Sequence, residues 1–404
     1  MMRSVSVLKL FTAFTIVCAA TRVAMAQTPE PTRREVLEQE QAEKAKNLHP
    51  YVLTTTERLL NKFEDITVNG VMRWHPFFDC AYHGCGFSPG IGYMSHVSPY
   101  NLLDVRGNYS ILGYKKVEAE FIAPRLFERR GELSVVGGYR EATQVAFYGF
   151  GTDSVKNNRA NFLFKQPYAS GLMTLWPTRK LLMVRGGVEY SQWSLHPGEG
   201  SFPSIETVYT PQTLPGLGAE INYLHTQGTV GYDWRPARDY ARRGGYYGVT
   251  LHDYTDNDEQ FGFRQVDYEV IQHFPILRDA WAISLRGLVQ TTATKSGQQI
   301  PFFLLPSLGG GHNMRGYESY RFRDRDSLLL QAEWRIMVNR FMDTAFFYDT
   351  GKVAGRTRDL DLDGLTHDYG FGMRVHSPFS TPFRVDLARS PEGLMLVFAG
   401  SAAF

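Results

Sequence analysis

The chain has 404 residues, 43 Lys+Arg against 41 Asp+Glu and a formal net charge of +2, a balance that offers no electrostatic case for nucleic-acid binding. Apart from one short N-terminal stretch, no run reaches the roughly 18 consecutive apolar residues of a membrane-spanning helix, which excludes a helical membrane protein. With 27 Phe, 22 Tyr, 6 Trp and 38 Gly and a mean hydropathy of −0.28, the composition suits an all-β protein, including a transmembrane barrel whose strands are apolar on one face only.

Residues 1–26 read as a secretory signal. Arg3 and Lys9 supply the positive start, Leu10 to Ala20 the apolar centre, and Ala24-Met25-Ala26 the small-x-small cleavage site. Cys18 lies inside that segment, after a Val17 that fits lipoprotein cleavage poorly. Export leaves Cys80 and Cys85, in Cys80-Ala-Tyr-His-Gly-Cys85, within an oxidising compartment. They are candidates for a small disulfide loop, although spacing alone does not establish the geometry. A competing metal reading recruits His83 and His75 but lacks a second Cys pair. Residues 27–65 then form a charged periplasmic leader, helical or disordered, in which Glu35, Glu38, Glu40, Glu43, Lys44 and Lys46 crowd together. No sustained heptad supports a coiled coil.

Residues 66–404 carry short alternating runs punctuated by Gly, Pro, Asn and Asp. In the stretch from Asp326 to Val338, one face holds Leu328, Leu330, Ala332, Trp334, Ile336 and Val338; the other holds Ser327, Leu329, Gln331, Glu333, Arg335 and Met337. Successive strand side chains point to opposite faces, so the segment has a dry side and a charged side. Phe371, Met373 and Val375 likewise oppose Gly372, Arg374 and His376. Phe383, Val385 and Leu387 oppose Arg384 and Asp386, and Leu394, Leu396, Phe398, Ala402 and Phe404 share one face. Period two does not by itself distinguish a soluble sandwich from a membrane barrel. Export, the uninterrupted length of strand pattern and an aromatic terminal strand favour a transmembrane antiparallel β-barrel, whose closure removes exposed edges. Phe398 and Phe404 are then expected to serve as the C-terminal signal read by the barrel assembly machinery.

Tight turns at 124–130, 177–180, 235–245 and 273–279 mark one rim; longer loops at 141–158, 191–216, 294–324 and 353–367 mark the other. The count is sixteen strands, with fourteen as the alternative, because residues 68–100 are hard to parse.

A series of motifs then appears in order. Leu308-Gly-Gly-Gly-His-Asn-Met-Arg315-Gly316-Tyr317 is followed by Phe322-Arg-Asp, Gln331-Ala-Glu333-Trp-Arg335, Ala345-Phe-Phe-Tyr-Asp349-Thr-Gly351, Tyr369-Gly-Phe-Gly372-Met-Arg374 and Phe383-Arg-Val-Asp386. With Phe147-Tyr-Gly-Phe-Gly151, this resembles the barrel of the bacterial surface antigen family, the superfamily that includes BamA, TamA and FhaC, over roughly residues 80–404. The resemblance implies a sixteen-stranded outer-membrane barrel whose sixth external loop folds back into the lumen. It also implies that the loop tip, Arg315-Gly316-Tyr317, is latched by lumen carboxylates at Glu333 and Asp349. The residues agree independently. Glu333 and Asp349 lie on charged strand faces, a guanidinium forks well between two carboxylates, and Gly316 is expected to permit a tight turn. The short leader carries no strand pattern, so the chain resembles the barrel-only members, which lack periplasmic receptor domains.

Asp359-Leu-Asp361-Leu-Asp363-Gly364 begins like a calcium loop, but position twelve is Gly370 where a bidentate Glu is needed. An acidic external loop, able to share divalent cations with lipopolysaccharide, is the plainer reading. His376, Arg374 and Asp386 share the lumen face without a positioned Ser or metal cluster, so neither an enzyme nor a cofactor is expected. The expected partners are outer-membrane lipids and lipopolysaccharide, the assembly machinery and a periplasmic protein. Two functions remain open at this point: insertion or translocation of protein or lipid at the outer membrane, or a passive or gated pore.

Overall fold

The computed structural model describes residues 33–46, 55, 58–59, 62, 73–178, 181–277 and 280–404. The segment expected to be a signal lies outside them, as does much of the expected leader. The chain divides into two units, Met1–Leu60 and Asn61–Phe404. In the first, helix α1 (Arg33–Lys46) is built largely of strong helix formers, and Arg34 Nε meets Glu38 Oε1 at 3.0 Å one turn on.

The second unit is made of β1 (Trp74–Phe78), β2 (Pro89–His96), β3 (Leu102–Tyr109), β4 (Lys115–Arg125), β5 (Gly131–Phe147), β6 (Ala160–Leu175), β7 (Leu182–Pro197), β8 (Glu220–Asp233), β9 (Gly244–Asp256), β10 (Phe263–Ile276) and β11 (Trp281–Thr294). It continues with β12 (Ser307–Leu308), β13 (Phe322–Arg323), β14 (Asp326–Asn339), β15 (Met342–Ala354), β16 (Thr366–Val375), β17 (Phe383–Ser390) and β18 (Gly393–Ala399). Sixteen of these, β1–β11 and β14–β18, form one antiparallel sheet in chain order; β12 and β13 pair as a ribbon within the β11–β14 loop. The sixteen-strand expectation stands. Every pairing in the sheet except β11–β14, which the ribbon separates in sequence, is between chain neighbours, as in an up-and-down barrel.

Which face is inside is now decided. On β14, Gln331, Glu333 and Arg335 are buried while Trp334 is 40% exposed. On β15, Ala345, Phe347 and Asp349 are buried while Phe346 and Tyr348 are exposed. The charged face looks into the barrel and the dry face looks out, the reverse of a soluble sandwich and the arrangement a bilayer requires. Register carries the apolar face from strand to strand: Val230 pairs with Val249, Val249 with Tyr268, and Trp334 with Phe346.

Several strands run further than the turn signals indicated. β5 continues to Phe147, β7 to Pro197, and His273, expected in a turn, lies within β10. β5 has 17 residues, where about 9–11 suffice to cross a bilayer, so its end projects beyond the membrane. There the pattern changes, because a lumen closed by loops needs an apolar core of its own. Phe147, Phe162, Phe164, Trp193 and Tyr223 pack with Phe302 and Phe303 from the β11–β14 loop. The sequence reading assigned much of this cap to loops.

One expectation about the C-terminus is corrected. Phe398 points outward from β18, but the strand ends at Ala399, and Phe404 lines a small cavity with Tyr240, Glu333 and Arg374. Phe404 therefore does not share the outward face of Phe398: once the ladder ends, alternation no longer constrains direction.

Candidate functional site: the lumen network around Arg315

The β11–β14 loop turns inward. Positive φ values at Gly309 and Gly310 give the backbone conformations that only glycine adopts readily, and the β12–β13 ribbon holds the loop base. Arg315 is fully buried. Its Nε donates to Asp349 Oδ2 at 2.7 Å and its Nη2 to Asp349 Oδ1 at 2.8 Å, a two-pronged grip, while Nη1 donates to Glu333 Oε2 at 2.8 Å. The guanidinium also lies 3.5 Å from the Phe347 ring centroid, a cation–π contact in a desolvated setting. The structure thus brings together the three side chains that the sequence singled out.

The network is larger than the motif. Glu333 also accepts from Arg374 Nη2 at 2.7 Å, Arg374 Nη1 lies 2.9 Å from Asp386, and Asp386 accepts from Arg384 at 3.0 Å. Gln331 Nε2 bridges Asp349 Oδ1 at 3.1 Å and the Asn313 carbonyl at 2.6 Å. Arg374, Arg384 and Asp386 were legible by alternation as members of charged strand faces, but their sharing of Glu333 and Arg315 was not. Desolvation opposes the charge on Arg315, yet Asp349, Glu333 and Asp386 outweigh it and raise its pKa above the ordinary arginine value.

Gly316 plays a different part from the one expected. Its φ is not among the positive ones. What matters is proximity: a Cβ there would sit 2.5 Å from Asp368 Cβ and 3.0 Å from Ser390 Cβ. Ser390 Oγ donates to the Gly316 carbonyl at 2.8 Å. Tyr317 is anchored by its hydroxyl, 2.5 Å from Thr366 Oγ1 and donating to the His367 carbonyl at 3.1 Å. Asp368, the cross-strand neighbour of Asp349, is fully buried, with the Gly316 backbone and the Asp349 carboxyl as its polar neighbours and no well-aligned hydrogen bond to either among the described residues. No motif or alternating run in the sequence marks it.

The remaining candidates lie elsewhere. Cys80 and Cys85 are joined as a disulfide, which removes the thiolates that the metal reading needed. His75 lies on β1 and meets Asp104 Oδ1 at 2.9 Å, whereas His83 stands beside His312 and Tyr320. His312 is accessible to the lumen yet enclosed by the barrel; desolvation, then Arg384, His83, Arg286 and Arg315, lower its pKa to about 4. Of the calcium candidates, Asp361 is held by Lys352 at 2.6 Å, Asp359 lies 3.6 Å from Arg358, and the Asp363 carbonyl accepts from Lys352 at 2.7 Å.

The Omp85 superfamily domain matches residues 101–392. Among solved structures, BamA from Haemophilus ducreyi lacking POTRA domains 1–3 is similar at a TM-score of 0.60 and 15% identity, over 81% of this chain and 69% of that one. CdiB from Escherichia coli is similar at a TM-score of 0.54 and 9% identity, over 80% of this chain and 60% of that one. At such identities the likeness concerns the fold alone. No curated protein matches the sequence.

Proposed function

The chain belongs to the Omp85 superfamily, and on that premise we propose that this outer-membrane barrel assists insertion or translocation of polypeptide, or of lipid, at its own seam. The observation that carries the reading is the seam itself. β1 and β18 end the sheet, each paired with one neighbour only, and among the described residues no register joins them. β1 has five residues, and its Pro76 lacks an N–H. Backbone groups left unpaired in hydrocarbon cost several kcal/mol each, so such an edge favours pairing with another strand.

The Arg315 loop and its ion pairs occupy the lumen, which speaks against a passive pore. We assign the lumen charges to holding that loop and not to catalysis. Outer-membrane lipid, lipopolysaccharide and a periplasmic protein that delivers the client belong to the same reading. Purified barrel in liposomes is expected to accelerate insertion of an unfolded client barrel beyond both protein-free liposomes and liposomes holding an unrelated porin. Parity with the porin would retire the proposal for the isolated barrel.

A further inference from the structure

At the mouth opposite the Arg315 loop, one turn behaves unlike its neighbours. The β14–β15 connection needs only residues 340–341, whereas β8 and β9 are joined by residues 234–243, of which Tyr240, Ala241 and Arg242 are buried. This longer turn folds inward. The Tyr240 ring stacks on His376 with centroids 4.0 Å apart, and its hydroxyl donates to Asp343 Oδ2 at 3.0 Å. Arg242 pairs with Asp343 and donates to the Tyr240 hydroxyl at 2.6 Å and the Ala280 carbonyl at 3.1 Å. Thr381, in the β16–β17 turn, donates to the Asp239 carbonyl at 3.0 Å. The turn therefore crosses from β8–β9 to β15–β17, over the β10–β11 turn.

It also reaches the Arg315 network. Arg335 Nη2 donates to the Ala241 carbonyl at 2.6 Å, while Arg335 Nε lies 3.7 Å from Glu333, the carboxylate that Arg315 holds from the other side. Tyr240, Glu333, Arg335, Asp343 and Arg374 line a small cavity beside the turn, together with Phe404. Buried pairs such as Arg242–Asp343 add little net stability relative to apolar packing but fix one geometry. A turn that served only to reverse the chain would have no use for them.

We propose that residues 234–243 form a second, periplasmic plug, seated in the barrel mouth by Tyr240 and Arg242 and coupled to the Arg315 loop through Arg335 and Glu333. The plug stands whether or not the seam handles a client. Its release opens an ion path along the β14–β17 wall and loosens the opposite loop.

The test is planar-bilayer conductance of the full-length barrel, with protease cleavage of the Arg315 loop measured in parallel. Heat-modifiability on gels first confirms that each variant is folded. Tyr240→Ala combined with Arg242→Ala is expected to raise conductance several-fold and to increase loop cleavage; Tyr240→Phe, which keeps the stacked ring, is expected to fall between it and wild type. Should the double variant fail to fold, Ala241→Cys in an otherwise native chain supplies the reading. It is expected to resist a water-soluble maleimide and to become reactive when Asp343→Asn is added. Unchanged conductance in a folded double variant, or fast labelling of Ala241→Cys alone, overturns the plug. Raised conductance without greater loop cleavage overturns the coupling.

Discussion

The β14–β16 wall and the edge strand β1 both meet charged side chains on their lumen sides, yet the contacts serve different ends. β14 and β15 have 14 and 13 residues and pair on both sides, so their backbone groups are satisfied without help. Their lumen charges are free to hold something else, the Arg315 loop. β1 pairs on one side only, and side chains supplement its ladder. His75 reaches across β2 to Asp104 on β3, because Gly92 leaves no side chain in the way. Asp79, just beyond the strand, is held by Lys116 at 2.6 Å, and Arg106 gathers Asp104 at 2.9 Å and Glu120 at 2.7 Å. Where the ladder is complete, buried charge fixes a loop; where it is incomplete, charge helps fix the strand.

The contrast breaks first at Arg315. Arg315→Ala leaves Glu333 and Asp349 short of a shared buried cation, and losing one partner of such a group costs about 3–5 kcal/mol. Loop protease sensitivity should rise and the heat-modifiability midpoint should fall; no change in either would remove the latch from the account. Gly316→Ala comes next, because the new Cβ meets Asp368 and Ser390. Overpacking of that kind costs about 1–3 kcal/mol and should be visible in the same unfolding midpoint.

His75→Ala should cost about 1 kcal/mol and act on the other region. Faster hydrogen exchange is expected in β1 with the Arg315 loop unchanged, and equal loosening of both would erase the distinction drawn here. Asp368→Asn should carry the opposite sign, a gain of up to about 1 kcal/mol, because it replaces one of two buried carboxyl groups that lie side by side at Asp349 and Asp368; a lowered midpoint would mean that Asp368 has a stabilising role. The smallest effect is expected from acid. The pKa of His312 is lowered from 6.5 to about 4, so between those values the opened loop binds more protons than the closed one. Loop stability should therefore decline as pH falls through that window. Loop cleavage in His312→Gln should be flatter over the same range, and an identical pH profile would discard His312 as the cause.

Much of the C-terminal half was legible because its signals are local. Alternation from Asp326 to Val338 marks a strand whichever fold it joins, and Arg315, Glu333 and Asp349 stand within recognisable runs. Less was legible in the cap. There Phe147, Phe162 and Trp193 face a core supplied by a distant loop, and turn-forming residues near the membrane level hid the continuation of β5 and β7.

Taken alone, the sequence determined the strand periodicity and the residues of the Arg315 motif, because these depend on neighbours one or two positions apart or on short runs; it left the strand count at sixteen or fourteen. Tertiary structure decided the rest. It turned the charged face inward, since a period of two reads the same from either side until the sheet has an inside. It drew Phe404 into the lumen, set Gly316 against Asp368, and folded Tyr240 and Arg242 onto Asp343 across the barrel. Those contacts join residues far apart in the chain, and only the curl of the sheet brings them within reach.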